Sequence, residues 1–291
     1  MVGIPQSLIY YKFSFPWEIF FEKLKIPCLL SPKSNKEIIE KGVKIADPES
    51  CFAIKVFFGH LSYLEKKCDF LFVPRLKKTK EGLEYCPRFF GLPDLAKVFF
   101  KKKILTFEIN FQKNSPFKYA KFVGKFFKKS EKEIKEAYEA CEEIVQKEKE
   151  KKKKNFFEKV EKKDPKILLI SHPYNLYDEF LNFNLKKRIE KIGFVPIFID
   201  EVPLRSKSSS RFHWEFAKEM ILGFEEILKI TSICGVIQIS SFLCGCDAVM
   251  KEIIKEMAKK HSLPLLELYL DEESSPVGYQ TRIEAFLESI L

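Results

Sequence analysis

No apolar run in the 291-residue chain is long enough to span a bilayer, so no membrane-spanning helix is expected. The opening Met1-Val2-Gly3-Ile4-Pro5 has neither the basic flank nor the apolar core of a secretion leader and runs straight into a strand-like segment. With no export signal, the expected location is the cytoplasm, where the 8 cysteines stay reduced. That favours metal or redox chemistry for them over a disulfide framework. No zinc-finger, RNA-recognition or basic-zipper pattern accompanies the formal charge of +10, so nucleic acid is not an expected partner. A Gly-rich phosphate loop and an actin-like nucleotide motif are both missing, so the chain is not expected to hydrolyse ATP itself. The cysteines also match no compact ferredoxin or zinc spacing.

What the sequence does contain is ample core material. Hydrophobic residues make up 46% of the chain, and its 30 Phe are spread over both halves. The basic residues are interleaved with Glu across 128–163, and the Lys run at 151–154 reads as a solvated helix face. The net charge still suits an acidic partner or an anionic small molecule such as a CoA ester.

The first 115 residues alternate short apolar runs with amphipathic segments. Strands are expected at 2–9, 27–31, 70–74 and 104–109, and helices at 17–24, 35–46, 50–64 and 92–102. Residues 116–165 carry no strand signal, and Ser130 with Glu133 forms a capping box that opens a Lys/Glu-rich helical segment. A second alternation follows, with strands at 167–171, 195–200, 235–240 and 265–270 and helices at 179–192, 214–228, 247–260 and 280–290. The pattern predicts an α/β protein of two similar units, 1–115 and 166–291, with mostly parallel sheets joined by a helical linker at 116–165.

Three cysteines fall in loops where parallel sheets present functional groups. Cys51 follows Asp47-Pro48-Glu49-Ser50 and opens a helix, Cys86 precedes Pro87-Arg88-Phe89, and Cys244 ends Ser240-Ser241-Phe242-Leu243. A thiol at a helix N-terminus meets the positive end of the dipole and unpaired N–H groups, which favours the thiolate that metals bind. Gly245 gives the adjoining backbone freedom. Cys28, Cys68, Cys141 and Cys234 read instead as small buried hydrophobes. Of the 4 His, His172 at a strand end is the candidate for donating a proton or hydrogen bond, with a structural role the alternative. His60 reads as structural or as a support to a ligand, and His213 and His261 read as ordinary surface residues. Lys55 and Arg88 could balance the charge of a bound group, or could be surface side chains.

The motifs taken together resemble the activase-related proteins of the 2-hydroxyacyl-CoA dehydratase superfamily over nearly the whole chain. The resemblance rests on Gly3-Ile4-Pro5 with Leu8-Ile9-Tyr10-Tyr11, on Glu49-Ser50-Cys51, and on Lys55-Val56-Phe57-Phe58-Gly59-His60. It continues through Phe72-Val73-Pro74-Arg75 and Cys86-Pro87-Arg88-Phe89-Phe90-Gly91-Leu92-Pro93-Asp94. His172-Pro173-Tyr174-Asn175-Leu176-Tyr177-Asp178, Cys244-Gly245 with Asp247, and Gln280-Thr281-Arg282-Ile283 complete it. The resemblance implies two Rossmann-like domains and an iron–sulfur cluster, a 4Fe-4S cubane, held by Cys51, Cys86 and Cys244 under anaerobic conditions. It also implies a separate ATP-dependent activase as electron donor. Cys246 stands where relatives carry Pro or another residue, and it is either a fourth ligand or an unligated neighbour. Asp271-Glu272-Glu273-Ser274-Ser275-Pro276 replaces an ending that in relatives contains a His.

Three functions follow as alternatives. One is electron transfer from the activase. Another is a dehydratase-like or reductase-like enzyme with a substrate at an open iron, and the third is a binding or scaffold module that kept only the fold. A homo-oligomer is compatible with each.

Overall fold

The computed structural model describes residues 1–12, 15–204 and 212–290 and divides into two compact units. The first comprises Met1–Ala46, Val56–Glu150 and Ser209–Glu215, and the second Asp47–Lys55, Lys151–Ser208 and Phe216–Leu291. Among the described residues no helix is long and apolar enough to cross a membrane.

Elements of the first half are β1 (Val2–Ile4), α1 (Ile9–Lys12), α2 (Trp17–Lys23), β2 (Cys28–Leu30), α3 (Lys36–Ile45), α4 (Phe52–Glu65), β3 (Phe70–Phe72), β4 (Arg75–Lys78), α5 (Pro87–Phe99), β5 (Lys103–Leu105), β6 (Glu108–Asn110), α6 (Pro116–Phe126) and α7 (Glu131–Glu161). The main sheet runs β2-β1-β3-β5 and every pairing is parallel, with Val2 beside both Cys28 and Phe70. β4 and β6 prolong β3 and β5 as a second parallel pair, linked to the first by Val73 N to Leu105 O at 3.0 Å. Strand 2–9 stops at Ile4, where Pro5 cannot donate to a ladder, and Ile9 belongs to α1. α5 starts at Pro87, earlier than the apolar spacing implied, because Pro suits the first helical position after the N-cap Cys86. Buried Phe20, Phe21, Phe57 and Phe58 fill the core, with the Phe21 ring edge-on to Phe72 at 5.5 Å.

Two contacts lock α4 into this unit. A Cβ on Gly59 would lie 1.9 Å from the Ile38 carbonyl oxygen, so α3 and α4 approach at a distance only Gly permits. The next residue, His60, is fully buried, its ring nitrogens 2.7 Å from Ser31 Oγ and 3.0 Å from Ser34 Oγ. Burial drives its pKa down to about 4, so it is neutral, which identifies it as a structural tie between β2 and α4. The expected capping box is present at the start of α7, with Ser130 N donating to Glu133 Oε2 at 2.9 Å and Glu133 N to Ser130 Oγ at 3.3 Å.

The second half adds β7 (Lys166–Ile170), α8 (Pro173–Tyr177), α9 (Leu185–Lys191), β8 (Val195–Phe198), α10 (Glu215–Ile230), β9 (Gly235–Ser241), α11 (Gly245–Lys260), β10 (Leu265–Leu270) and α12 (Pro276–Glu288). Their parallel sheet runs β10-β9-β7-β8, with β7 and β9 buried along their full length as a sheet covered on both faces requires. The helix expected at 179–192 is broken by Phe183 and Asn184, whose φ values of 53° and 57° are left-handed, so only α9 forms. The two sheets share one topology. In each, the unit's first strand connects to a neighbour on one side and is then flanked by the following strand on the other, which makes β1/β3 and β7/β9 the switch points.

Candidate metal centre

The chain leaves β7 through Ser171 and His172 and leaves β9 through Phe242, Leu243 and Cys244, so both loops lie at the carboxyl ends of the switch-point strands. A buried polar network fixes them. Ser171 Oγ donates to the Ile239 carbonyl at 2.5 Å, Asn175 Nδ2 donates to Ser171 Oγ at 3.0 Å, and Ser241 Oγ donates to Asn175 Oδ1 at 3.1 Å. Leu243 has φ of 61°, a conformation costly for a side chain branched beyond Cβ, and this turn delivers Cys244 to the N-cap of α11. Three residues on, at the first turn of α11, Asp247 N donates to Cys244 Sγ at 3.5 Å while Asp247 Oδ2 accepts from Ser241 N at 2.9 Å.

Donor atoms of His172, Cys244 and Asp247 all lie within 4.8 Å of one another. His172 Nε2 is 3.0 Å from Asp247 Oδ1, and both side chains are about 95% buried, at 5% and 4% exposure. Nε2 is close to the carboxylate charge yet makes no well-formed hydrogen bond. The imidazole is held flat against Tyr174, with ring centres 5.0 Å apart and planes 11° from parallel. Burial alone would lower the His172 pKa, but the Asp247 carboxylate and the Cys244 sulfur reverse this and raise it to about 10. Cys244 moves the other way, to about 6, chiefly because Cys246 hydrogen-bonds its sulfur, with His172 assisting against burial and the Asp247 charge. Once a metal displaces the His172 proton, a thiolate, an imidazole and a carboxylate in one buried cluster form a donor set of the kind that binds zinc or mononuclear iron.

Other residues singled out by sequence take varied positions. Cys246 is buried beside Cys244 on the first turn of α11. Cys51 belongs to the second unit and immediately precedes α4, whose first N–H, on Phe52, donates to the Phe242 carbonyl of the Cys244 loop at 3.0 Å. Cys86 is the N-cap of α5 in the first unit. Lys55 is a buried ion-pair partner rather than a surface group, its Nζ 2.6 Å from Glu272 Oε1, whereas Arg88 is exposed. Gly245 faces open space, with no atom within 4 Å of a Cβ built there. Cys68 and Cys141 are buried, and burial pushes the Cys141 thiol up to about 12, while Cys28 and Cys234 are half-buried. His213 sits 3.3 Å from Glu84 on the surface, and His261 ends α11. Asp247 is the member that sequence reading did not single out as a donor. The available signal was its place three residues after an N-cap Cys, where a helix returns the side chain to its own start.

Residues 1–202 match the model of a protein family described as the CoA enzyme activase uncharacterised domain. The chain belongs to that family. The match covers β7 and His172 and ends before Cys244, so the α11 half of the donor cluster lies outside the matched residues. No curated protein matches this activase-domain chain. Among solved structures, a zinc-bound mutant variant of AdcAII from Streptococcus pneumoniae is similar at 11% identity and a TM-score of 0.32, over 100% of this chain and 99% of that one. The C-terminal domain of glucosamine-fructose-6-phosphate aminotransferase from Francisella tularensis is similar at 11% identity and a TM-score of 0.25, over 99% and 83%. Likenesses this slight bear neither on the fold nor on the site.

Proposed function

We propose that this activase-related protein carries a metal centre on Cys244 and works with enzymes of CoA-ester chemistry, receiving electrons from a separate ATP-dependent activase. The centre proposed is an iron–sulfur cluster, with Cys51 and Cys86 as further thiolate ligands and Cys246 available beside Cys244. The observation that carries the reading is the state of Cys244. Its sulfur caps a helix, accepts hydrogen bonds and is held near a pKa of 6, as a metal-bound thiolate requires. The backbone bond from Phe52 to Phe242, which ties the Cys51 segment to the same loop, and the open space at Gly245 support it. When bound, such a cluster supplies one-electron transfer at low potential. A CoA ester as substrate, and direct chemistry on it at an open iron, belong to the same proposal as its enzymatic form.

A second reading has its own observation. His172, Cys244 and Asp247 converge within 4.8 Å, and His172 Nε2 is buried without a well-formed hydrogen bond, an arrangement suited to one ion. Anaerobic purification followed by assay of iron, zinc and acid-labile sulfide, with EPR of the reduced protein, separates the two. The cluster predicts matched iron and sulfide that fall severalfold in Cys51→Ala, Cys86→Ala and Cys244→Ala but not in Cys68→Ala. The single ion predicts metal without sulfide, lost in His172→Ala and Asp247→Asn and retained in Cys51→Ala and Cys86→Ala. No metal after anaerobic reconstitution would refute both.

A further inference from the structure

The switch point of the first unit is built differently from that of the second. A cavity of about 200 Å³ opens at the carboxyl ends of β1 and β3, where Pro5 and Pro74 follow the strands. Its walls are mainly apolar and carry five aromatic rings, those of Tyr10, Phe15, Trp17, Phe57 and Phe72. Trp17 is the centre of the group, with its ring 4.7 Å from Phe15 and 5.0 Å from Phe72. The indole is 7% exposed and its Nε1 is buried without a hydrogen-bond partner, so it is positioned for its ring rather than for its N–H. Among the described residues, Glu18 is the only charged one lining the cavity, and the Tyr10 hydroxyl lies beside it.

Size, lining and charge each restrict the occupant. A dry apolar cavity of ~150 Å³ accepts benzene, so the volume here takes a six-membered ring with a short arm. The rings offer π-faces, which attract cations, and the carboxylate adds to that attraction while opposing anions. Carboxylates and phosphates are therefore disfavoured by the same wall that favours an ammonium.

We propose that this cavity is a binding site for a small cation with an aromatic body, an arylalkyl amine in class. The site lies in the first unit and does not depend on the metal centre. The binding mode is the aromatic ring among Phe15, Trp17, Phe57 and Phe72, with the ammonium toward Glu18 and Tyr10.

The chain has 2 Trp, Trp17 and Trp214, so Trp214→Phe in the full-length protein leaves the cavity indole as the sole emitter. Titration with phenethylamine should change its fluorescence saturably. Phenethyl alcohol, the neutral isostere, should bind roughly tenfold more weakly and phenylacetate not at all. Glu18→Gln should bring the amine to the level of the alcohol and leave alcohol binding unchanged. Saturation-transfer NMR on the unmodified chain should give the same order of probes, which guards against a folding defect from the Trp214 change. The proposal is overturned by the absence of saturable phenethylamine binding in both assays, by phenylacetate binding as well as the amine, or by a Glu18→Gln variant that keeps the amine preference.

Discussion

His60 and Lys55 lie five residues apart on one helix and are buried at opposite energetic risk. His60 is neutral in the fold with its pKa near 4, whereas the unfolded chain would titrate near 6.5. The unfolded state therefore binds more protons between those values, and stability is full above about pH 6.5 and falls as pH drops toward 4. The loss amounts to about 3 kcal/mol across that window. Urea unfolding as a function of pH should show it, and His60→Gln should flatten that part of the profile while lowering stability at neutral pH. Lys55 is charged against Glu272. Burial alone would raise the Glu272 carboxyl, but the hydrogen bond and charge of Lys55 hold it below its ordinary range. Because the lysine is the more buried partner, Glu272→Gln, which leaves its ammonium unpaired, should cost about 3 kcal/mol, more than Lys55→Met, with the double variant recovering part of it. The difference is measurable as denaturation midpoints. Cys244 and His172 were legible in sequence from their places at strand ends. Asp247 and the pairing of Lys55 were not. An acid in the first turn of a helix is ordinary, and nothing local announces a partner 217 residues away.

Helix and strand assignments succeeded where periodicity was undisturbed and failed where the backbone departed from it. The apolar run at 2–9 gives way to helix after Pro5, and the segment 179–192 contains two consecutive left-handed residues that apolar spacing cannot reveal. β4 went unassigned because its sequence, Arg-Leu-Lys-Lys, shows basic residues where a pattern search looks for apolar ones, whereas α6 falls within the segment expected to be helical. Gly59 belongs to this scale because it sets how closely two helices meet. Gly59→Ala should destabilise the protein by at least about 2 kcal/mol despite the better helix propensity of Ala, since the clash is with backbone rather than with a side chain that can move. Gly91, also helical but with nothing within 4 Å of a built Cβ, is the matched control, and Gly91→Ala should be neutral or stabilising in the same thermal melt.

Two units of one topology have been given different contents at equivalent positions. At β7/β9 the strand ends and α11 supply a thiolate, an imidazole and a carboxylate over a hydrogen-bonded floor, and at β1/β3 the surrounding helices and β3 supply aromatic rings and, among the described residues, one acid. The shared α/β rhythm was readable in the sequence, because parallel strands covered on both faces must be continuous apolar runs. The difference in contents was only partly readable, since Cys and His stand out whereas Phe in a chain with 30 of them does not. Metal that binds the folded second unit alone should raise its thermal midpoint, by an amount equivalent to about 4 kcal/mol at a thousandfold excess over the dissociation constant. Hydrogen exchange should place the added protection in 151–208 and 216–290 rather than in 56–150.

The second unit also borrows residues 47–55 from the opening fifth of the chain. During synthesis that segment leaves the ribosome long before Phe242 and Glu272, its hydrogen-bonding and ionic partners, have been made. The unit therefore closes last, over a loop of some two hundred residues, and its formation is slow in the way distant contacts make folding slow. Newly made chains pass through a stage in which the first unit is formed while Cys51 still waits for the loop that carries Cys244. Metal supplied to the proposed site would then wait until the Cys244 loop has been made and has closed on the Cys51 segment.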